Sequence, residues 1–306
     1  MTSADVMDSL LKTTNAREAA FLHALSQARL PRADWKDLAK AATPITLMGL
    51  SFPNRLGIAA GFDRLGRLGR LAGNLGFGAI ELGSWTQETW PDKPISAGPQ
   101  TLLNTQLGIR LAVAAPVSPE LETRELARLM EKAWQTADYL CLSPEWLQMP
   151  VSHVQHHTNM RTLLEFQQTL VQKTRKKCPV VYKLKVVPGG EEPFALAHYL
   201  ACQGVDGILI SFDFGKGAIR ERYRSWLDPE FQATVCRSLE TFRRHIKDAS
   251  VLITNGGILS QQDFLNRVQA GADLTQVHNA LVLKGADIGW KINDPASAQP
   301  DHGSVG

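Results

Sequence analysis

Residues 180–211 read Val-Val-Tyr-Lys-Leu-Lys-Val-Val-Pro-Gly-Gly-Glu-Glu-Pro-Phe-Ala-Leu-Ala-His-Tyr-Leu-Ala-Cys-Gln-Gly-Val-Asp-Gly-Ile-Leu-Ile-Ser. Val180–Lys185 and Gly207–Ser211 are short, nearly continuous apolar runs, which suit strands covered on both faces, as in a parallel sheet. Between them Pro193–Gln203 carries helical spacing behind a Pro-Gly-Gly break. The stretch is one strand–helix–strand unit.

The same unit recurs outward in both directions. Further apolar runs are Leu56–Ala60, Ala79–Gly83, Leu111–Ala115, Tyr139–Leu142, Val251–Thr254 and Leu274–His278. Amphipathic segments separate them: Leu65–Leu75, Pro119–Gln135, Met160–Lys177, Pro229–Ile246 and Gln261–Ala270. Eight units across about 240 residues match a (β/α)8 barrel of the α/β class. A doubly wound open sheet would carry G-x-G-x-x-G after its first strand, and Gly66, Gly69, Gly73, Gly76 and Gly78 lack that spacing.

Three segments are expected. Residues 1–44 form a helical extension, with Val6, Leu10, Phe21, Leu22, Leu25 and Leu30 in helical register and breaks at Pro31 and Pro44. Residues 45–295 form the barrel, entered through a small hairpin at Ile45–Phe52 ahead of Pro53-Asn54. Residues 296–306 form a loose tail.

Composition narrows the function. The chain has 306 residues, 44% hydrophobic and 21% charged, with 24 Gly and 16 Pro, so disordered and collagen-like classes are excluded. A net charge of +3 gives no reason to invoke nucleic acid. No apolar stretch approaches the ~18–20 residues of a spanning helix, and no secretory signal is visible. Cys141, Cys178, Cys202 and Cys236 stand far apart, as reduced thiols of a cytoplasmic protein would. His153, His156 and His157 have no partner at ligand spacing, so no metal is expected.

Barrel chemistry sits where the strands end. Those positions read Ala60-Gly61-Phe62-Asp63-Arg64, Gly83-Ser84-Trp85, Ala115-Pro116, Ser143-Pro144-Glu145, Lys183 and Lys185, Ser211-Phe212, Asn255-Gly256-Gly257 and His278-Asn279-Ala280. Gly256-Gly257 after the seventh strand offers backbone N–H groups to an anion. Lys183 ends an apolar strand, so something anionic or electron-rich should face it. A Schiff-base lysine of a barrel aldolase is the competing reading for Lys183. Arg64, Arg67 and Arg70 recur every third residue; Arg64, next to the loop, competes for a site, while the others suit a solvated helix face.

The stretch Leu47-Met-Gly-Leu-Ser-Phe-Pro-Asn-Arg-Leu-Gly-Ile-Ala-Ala-Gly-Phe-Asp-Arg-Leu-Gly66, with Gly76–Gly83 downstream, resembles the dihydroorotate dehydrogenases. The likeness is to the quinone-using, membrane-associated branch, which also carries an N-terminal helical extension. It continues through Asn104, Ser143-Pro144, Pro179–Lys183, Asp206-Gly207, Asn255–Ile258 and Ala270–Gln276. The resemblance implies an FMN-binding barrel that takes a hydride from a small-molecule substrate and passes electrons to a quinone. It places Ala60, Gly61, Ser84, Lys183 and Ser211 beside the flavin, and Gly256, Gly257, His278 and Asn279 at its phosphate. Ser143 and Lys183 become the catalytic pair, while Arg64 and Asn104 touch substrate. Membrane contact would be peripheral, at the inner face. The oligomeric state stays open.

The sequence also departs from that family. Its lysine is here Arg64, which keeps charge without geometry. Its asparagines fall at Leu140, Glu145, Ala114 and Phe212. Each buried partner left unmade costs about 1–3 kcal/mol, and Glu145 brings a negative charge toward a carboxylated substrate. Dihydroorotate itself is therefore expected to be a poor substrate. The alternative is a catalytically lapsed relative serving as scaffold or regulatory partner, which a hollow plugged by Phe212 would favour.

Overall fold

The structure, a computed structural model, describes residues 14–40, 42–91, 101–114, 117–149, 152–212 and 225–294. The tail 296–306, Ala115-Pro116 and the first part of the helical extension lie outside the described residues. Two helices come first, α1 (Thr14–Arg29) and α2 (Trp35–Lys40), as the Pro31 break implies. The hairpin strands β1 (Ile45–Leu47) and β2 (Leu50–Phe52) follow, turning at Met48-Gly49, both at positive φ.

Eight strands then close a parallel barrel: β3 (Leu56–Ile58), β4 (Ala79–Trp85), β5 (Gln106–Leu111), β6 (Tyr139–Leu142), β7 (Val180–Lys185), β8 (Gly207–Ser211), β9 (Val251–Asn255) and β10 (Leu274–Val277). β10 pairs with β3 to complete the ring. Between and after them run α3 (Pro119–Ala133), α4 (His153–Thr174), α5 (Phe194–Cys202), α6 (Pro229–Ile246), α7 (Gln261–Gln269), α8 (Asn279–Lys284) and α9 (Ile288–Asn293). Ser118, Ser152, Asp228 and Ser260 cap α3, α4, α6 and α7, each side chain accepting a first-turn N–H.

Strand alternation sorts the core into two layers. Ile80, Leu82, Ile109, Leu140, Leu142, Leu184, Ile208 and Ile210 face outward against the helices. Ala79, Tyr139, Cys141, Val181, Leu209, Ile253 and Leu274 face inward, and Phe52 of the hairpin stoppers their N-terminal end. Phe212 belongs with Ile208 and Ile210 in the outer layer, so it does not plug the hollow.

One strand is displaced from expectation. The third barrel strand is Gln106–Leu111, five residues ahead of the expected Leu111–Ala115. Its register fixes this, with Gly83 opposite Arg110 and Arg110 opposite Cys141. Asn104 therefore stands exposed before the start of the strand, at the opposite end of the barrel from Ser143.

Candidate functional site

Below the rim, the barrel interior changes from apolar to polar. Glu81, in the middle of β4, is fully buried and accepts from Gln276 Nε2 at 2.5 Å and from the Tyr139 hydroxyl at 3.3 Å. Burial pushes its carboxyl pKa up; Gln276 first, then Arg110 and Lys183, pull it back. Burial and the neighbouring Glu81 raise the Tyr139 phenol well above its ordinary range, and the Cys141 thiol is raised in the same way. Cys141 is thus an inert core thiol.

At the rim the strand ends bring most of the expected residues together. Ser143 and Lys183 are both buried, on β6's exit and on β7. Ser211 is fully buried at the end of β8, opposite Lys185 on one side and Asn255 on the other. Lys183 sits two residues deeper than Lys185, so the strand carries one lysine inside and one at the mouth. Lys185 Nζ meets Glu145 Oε1 at 2.7 Å. The negative charge expected of Glu145 is therefore already paired.

Arg110 is the residue that the displaced strand hid. Its Nη2 lies 3.4 Å from Ser143 Oγ, and its buried Nε has no partner. Among the described residues no carboxylate comes within ion-pair distance of its guanidinium. Asn255 donates from Nδ2 to Gln276 Oε1 at 3.3 Å, leaving its buried Oδ1 unpartnered. Glu81 gave a usable signal in the sequence, a charge inside an apolar strand. Arg110 gave none once the strand was misplaced.

The first strand's exit is rigidly built. Asp63, fully buried, accepts from the N–H groups of Arg67, Leu68 and Gly69 at 2.8–2.9 Å. Trp85 Nε1 donates to the Arg64 carbonyl at 2.7 Å, while the Arg64 side chain is exposed. Gly61 N–H reaches the Gly83 carbonyl at 2.7 Å, and a Cβ on Gly61 would stand 3.3 Å from His278 Cε1. Ala60, Gly61, Ser84, His278 and Asn279 thus lie at the same end as Ser143 and Lys183; Asn104 does not.

The Gly256-Gly257 turn has positive φ at both residues, 98° and 72°. Among the described residues none accepts from the N–H groups of Gly256, Gly257 or Ile258. Held against a flavin mononucleotide, the polar groups fit: a backbone nest and a buried lysine as donors, and the unpartnered Asn255 Oδ1 as an acceptor. Among the described residues, the hollow between Gly256, Gly257, His278 and Asn279 is small, about 20 Å³, with Trp226 on its wall. Trp226 packs close against the turn: a Cβ on Gly257 would come within 2.8 Å of its Cδ1. Among the described residues, an open groove of about 1190 Å³ lies between β7, α4 and α5, with Lys185 on its rim.

No family model matches the chain. The quinone-type dihydroorotate dehydrogenase of Halorhodospira halophila is 26% identical over 284 residues, covering 80% of this chain and 82% of that protein. The one from Xylella fastidiosa is 25% identical over 289 residues, covering 80% and 81%. Among solved structures, dihydroorotate dehydrogenase of Eimeria tenella in complex with ferulenol superposes with a TM-score of 0.69 at 15% identity. That match covers 92% of this chain and 90% of that one. It supports the barrel fold.

Proposed function

We propose that the chain is a divergent oxidoreductase of the dihydroorotate dehydrogenase type whose pocket is recharged for another substrate. The full reading has a small-molecule electron donor, FMN as resident cofactor, and a quinone or other acceptor. Its site compartment is cytoplasmic, with contact to the inner membrane face. One observation carries it: Glu81, Arg110, Lys183 and Asn255 are held inside the barrel mouth with two buried polar atoms unpartnered. A barrel kept as architecture alone gains nothing from such a layer, since apolar replacements are commonly neutral or stabilising.

The chain's own residues divide the work. Arg110 presents a planar fork to an anionic group on the substrate. Its charge beside Ser143 Oγ favours the deprotonated hydroxyl, so Ser143 relays a proton rather than storing it. Lys183 sets a second cation deeper in, beside Glu81. Arg64 guards the exposed edge. Asn104, at the far end, takes no part.

Membrane contact rests on little apolar surface. No helix among the described residues is long and apolar enough to cross a membrane. α1 buries Ala24, Leu25 and Ala28 and leaves Leu22 exposed, as is Leu30 just past its end. Those two leucines are the contact proposed.

The lapsed-relative reading is favoured by the 20 Å³ cradle. Denaturing the purified chain and assaying released flavin separates the two. We expect FMN to be released or taken up, with dihydroorotate oxidised far below family rates. A chain that neither holds nor takes up flavin would leave the scaffold reading standing.

A further inference from the structure

The cradle is closed by residues that have no role in the proposed chemistry. Trp226 is 5% exposed and lies over Gly257, Cδ1 and Cγ within 2.8 and 3.1 Å of where a Cβ would stand. Its backbone is fastened there. Gln232 Nε2 donates to both the Trp226 carbonyl and the Gly257 carbonyl, each at 2.7 Å. Gln232 Oε1 in turn accepts from Arg267 Nη2 at 2.6 Å, and Arg267 is almost wholly buried. A guanidinium in the core, an amide and two carbonyls thus tie the indole segment to the glycine turn.

We propose that Trp226 is a built-in occupant of the phosphate cradle, held by the Arg267–Gln232 tie, and that its indole sets the affinity for FMN. This rests on the flavin reading of the same site, but it is a separate claim about this chain's own side chain. The cradle needs glycine at Gly257 because any Cβ there would strike the indole or Gln232. An entering phosphate meets the same obstacle. Trp226 lines the same small hollow as Gly256, Gly257 and Ile258, so an anion entering there has to displace it. The tie through Gln232 makes displacement costly, so the wild-type chain binds FMN weakly.

The test titrates flavin-free wild type, Trp226→Ala and Trp226→Leu with FMN, following quenching of flavin fluorescence. Inorganic phosphate, followed by thermal shift, is the second probe. The leucine variant keeps apolar packing and carries the test should the alanine variant not fold. We expect both probes to bind the variants at least ~10-fold more tightly than wild type, a difference of about 1.4 kcal/mol. Equal binding by wild type and variants overturns the proposal and leaves the flavin reading intact. Binding by neither also overturns it, because the indole is then not what excludes the ligand. Binding by the variants alone sustains it and removes FMN from the wild-type function.

Discussion

Glu81 and Gln276 meet inside the barrel, Oε1 to Nε2 at 2.5 Å, both residues almost wholly buried. The hydrogen bond offsets only part of the cost of burying a carboxylate, and burial dominates its raised pKa. A carboxyl with a raised folded pKa holds more protons folded than unfolded between the two values. Its ionisation therefore costs stability, increasingly as pH rises from the ordinary carboxylate range through the raised value. Glu81→Gln keeps an acceptor for Gln276 and Tyr139 and removes the charge. We expect the variant to equal wild type near pH 4 and exceed it by on the order of 1–2 kcal/mol near pH 8. Denaturant unfolding at the two pH values reads this; a variant less stable at pH 8 would refute it.

Gly108 gives the Tyr139 ring its place. A Cβ there would stand 2.4 Å from Tyr139 Cζ, at the level where Tyr139 donates to Glu81. Gly108→Ala should cost about 1–3 kcal/mol by overpacking. Tyr139→Phe in the same background should recover only part of that loss, because it removes the hydroxyl at 2.7 Å and leaves ring atoms Cζ and Cε2 at 2.4 and 2.7 Å from the added Cβ. Thermal melts of the single and double variants decide.

Asp63 shapes the loop after β3. It supplies acceptors for three backbone N–H groups while fully buried, and burial raises its pKa against their pull. Asp63→Ala strands those donors and should cost about 2–4 kcal/mol. A loss under ~0.5 kcal/mol in urea unfolding would show that the loop holds without it.

The Lys185–Glu145 pair is substantially exposed on both sides, so its worth to folding is small. Glu145→Gln should change stability by less than ~0.5 kcal/mol while freeing the Lys185 ammonium at the mouth. Orotate affinity should then rise several-fold, with uracil, which lacks the carboxylate, unchanged. Calorimetric titration of both ligands checks the sign; an unchanged orotate affinity would place Lys185 away from the bound anion.

Most of the barrel was legible because seven of its strands announce themselves as apolar runs. β5 did not. Its inward positions, Gln106, Gly108 and Arg110, break the run, while the apolar Leu111–Ala115 beyond it mimics a strand. That slip put Asn104 at the mouth and concealed Arg110. Among the lysines, period-two spacing alone placed Lys183 and Lys185 on one face, and only the register showed which is deeper. Trp226 could not be found from sequence at all, since its contact with Gly257 is made across 31 residues by tertiary packing.

Anaerobic spectroscopy of the FMN-loaded chain asks the central question most directly. The account predicts a bound flavin that a strong chemical reductant bleaches and a soluble quinone restores, yet that stays oxidised when dihydroorotate is added. Immediate bleaching by dihydroorotate would contradict the altered pocket, and failure to load any flavin would contradict the oxidoreductase itself.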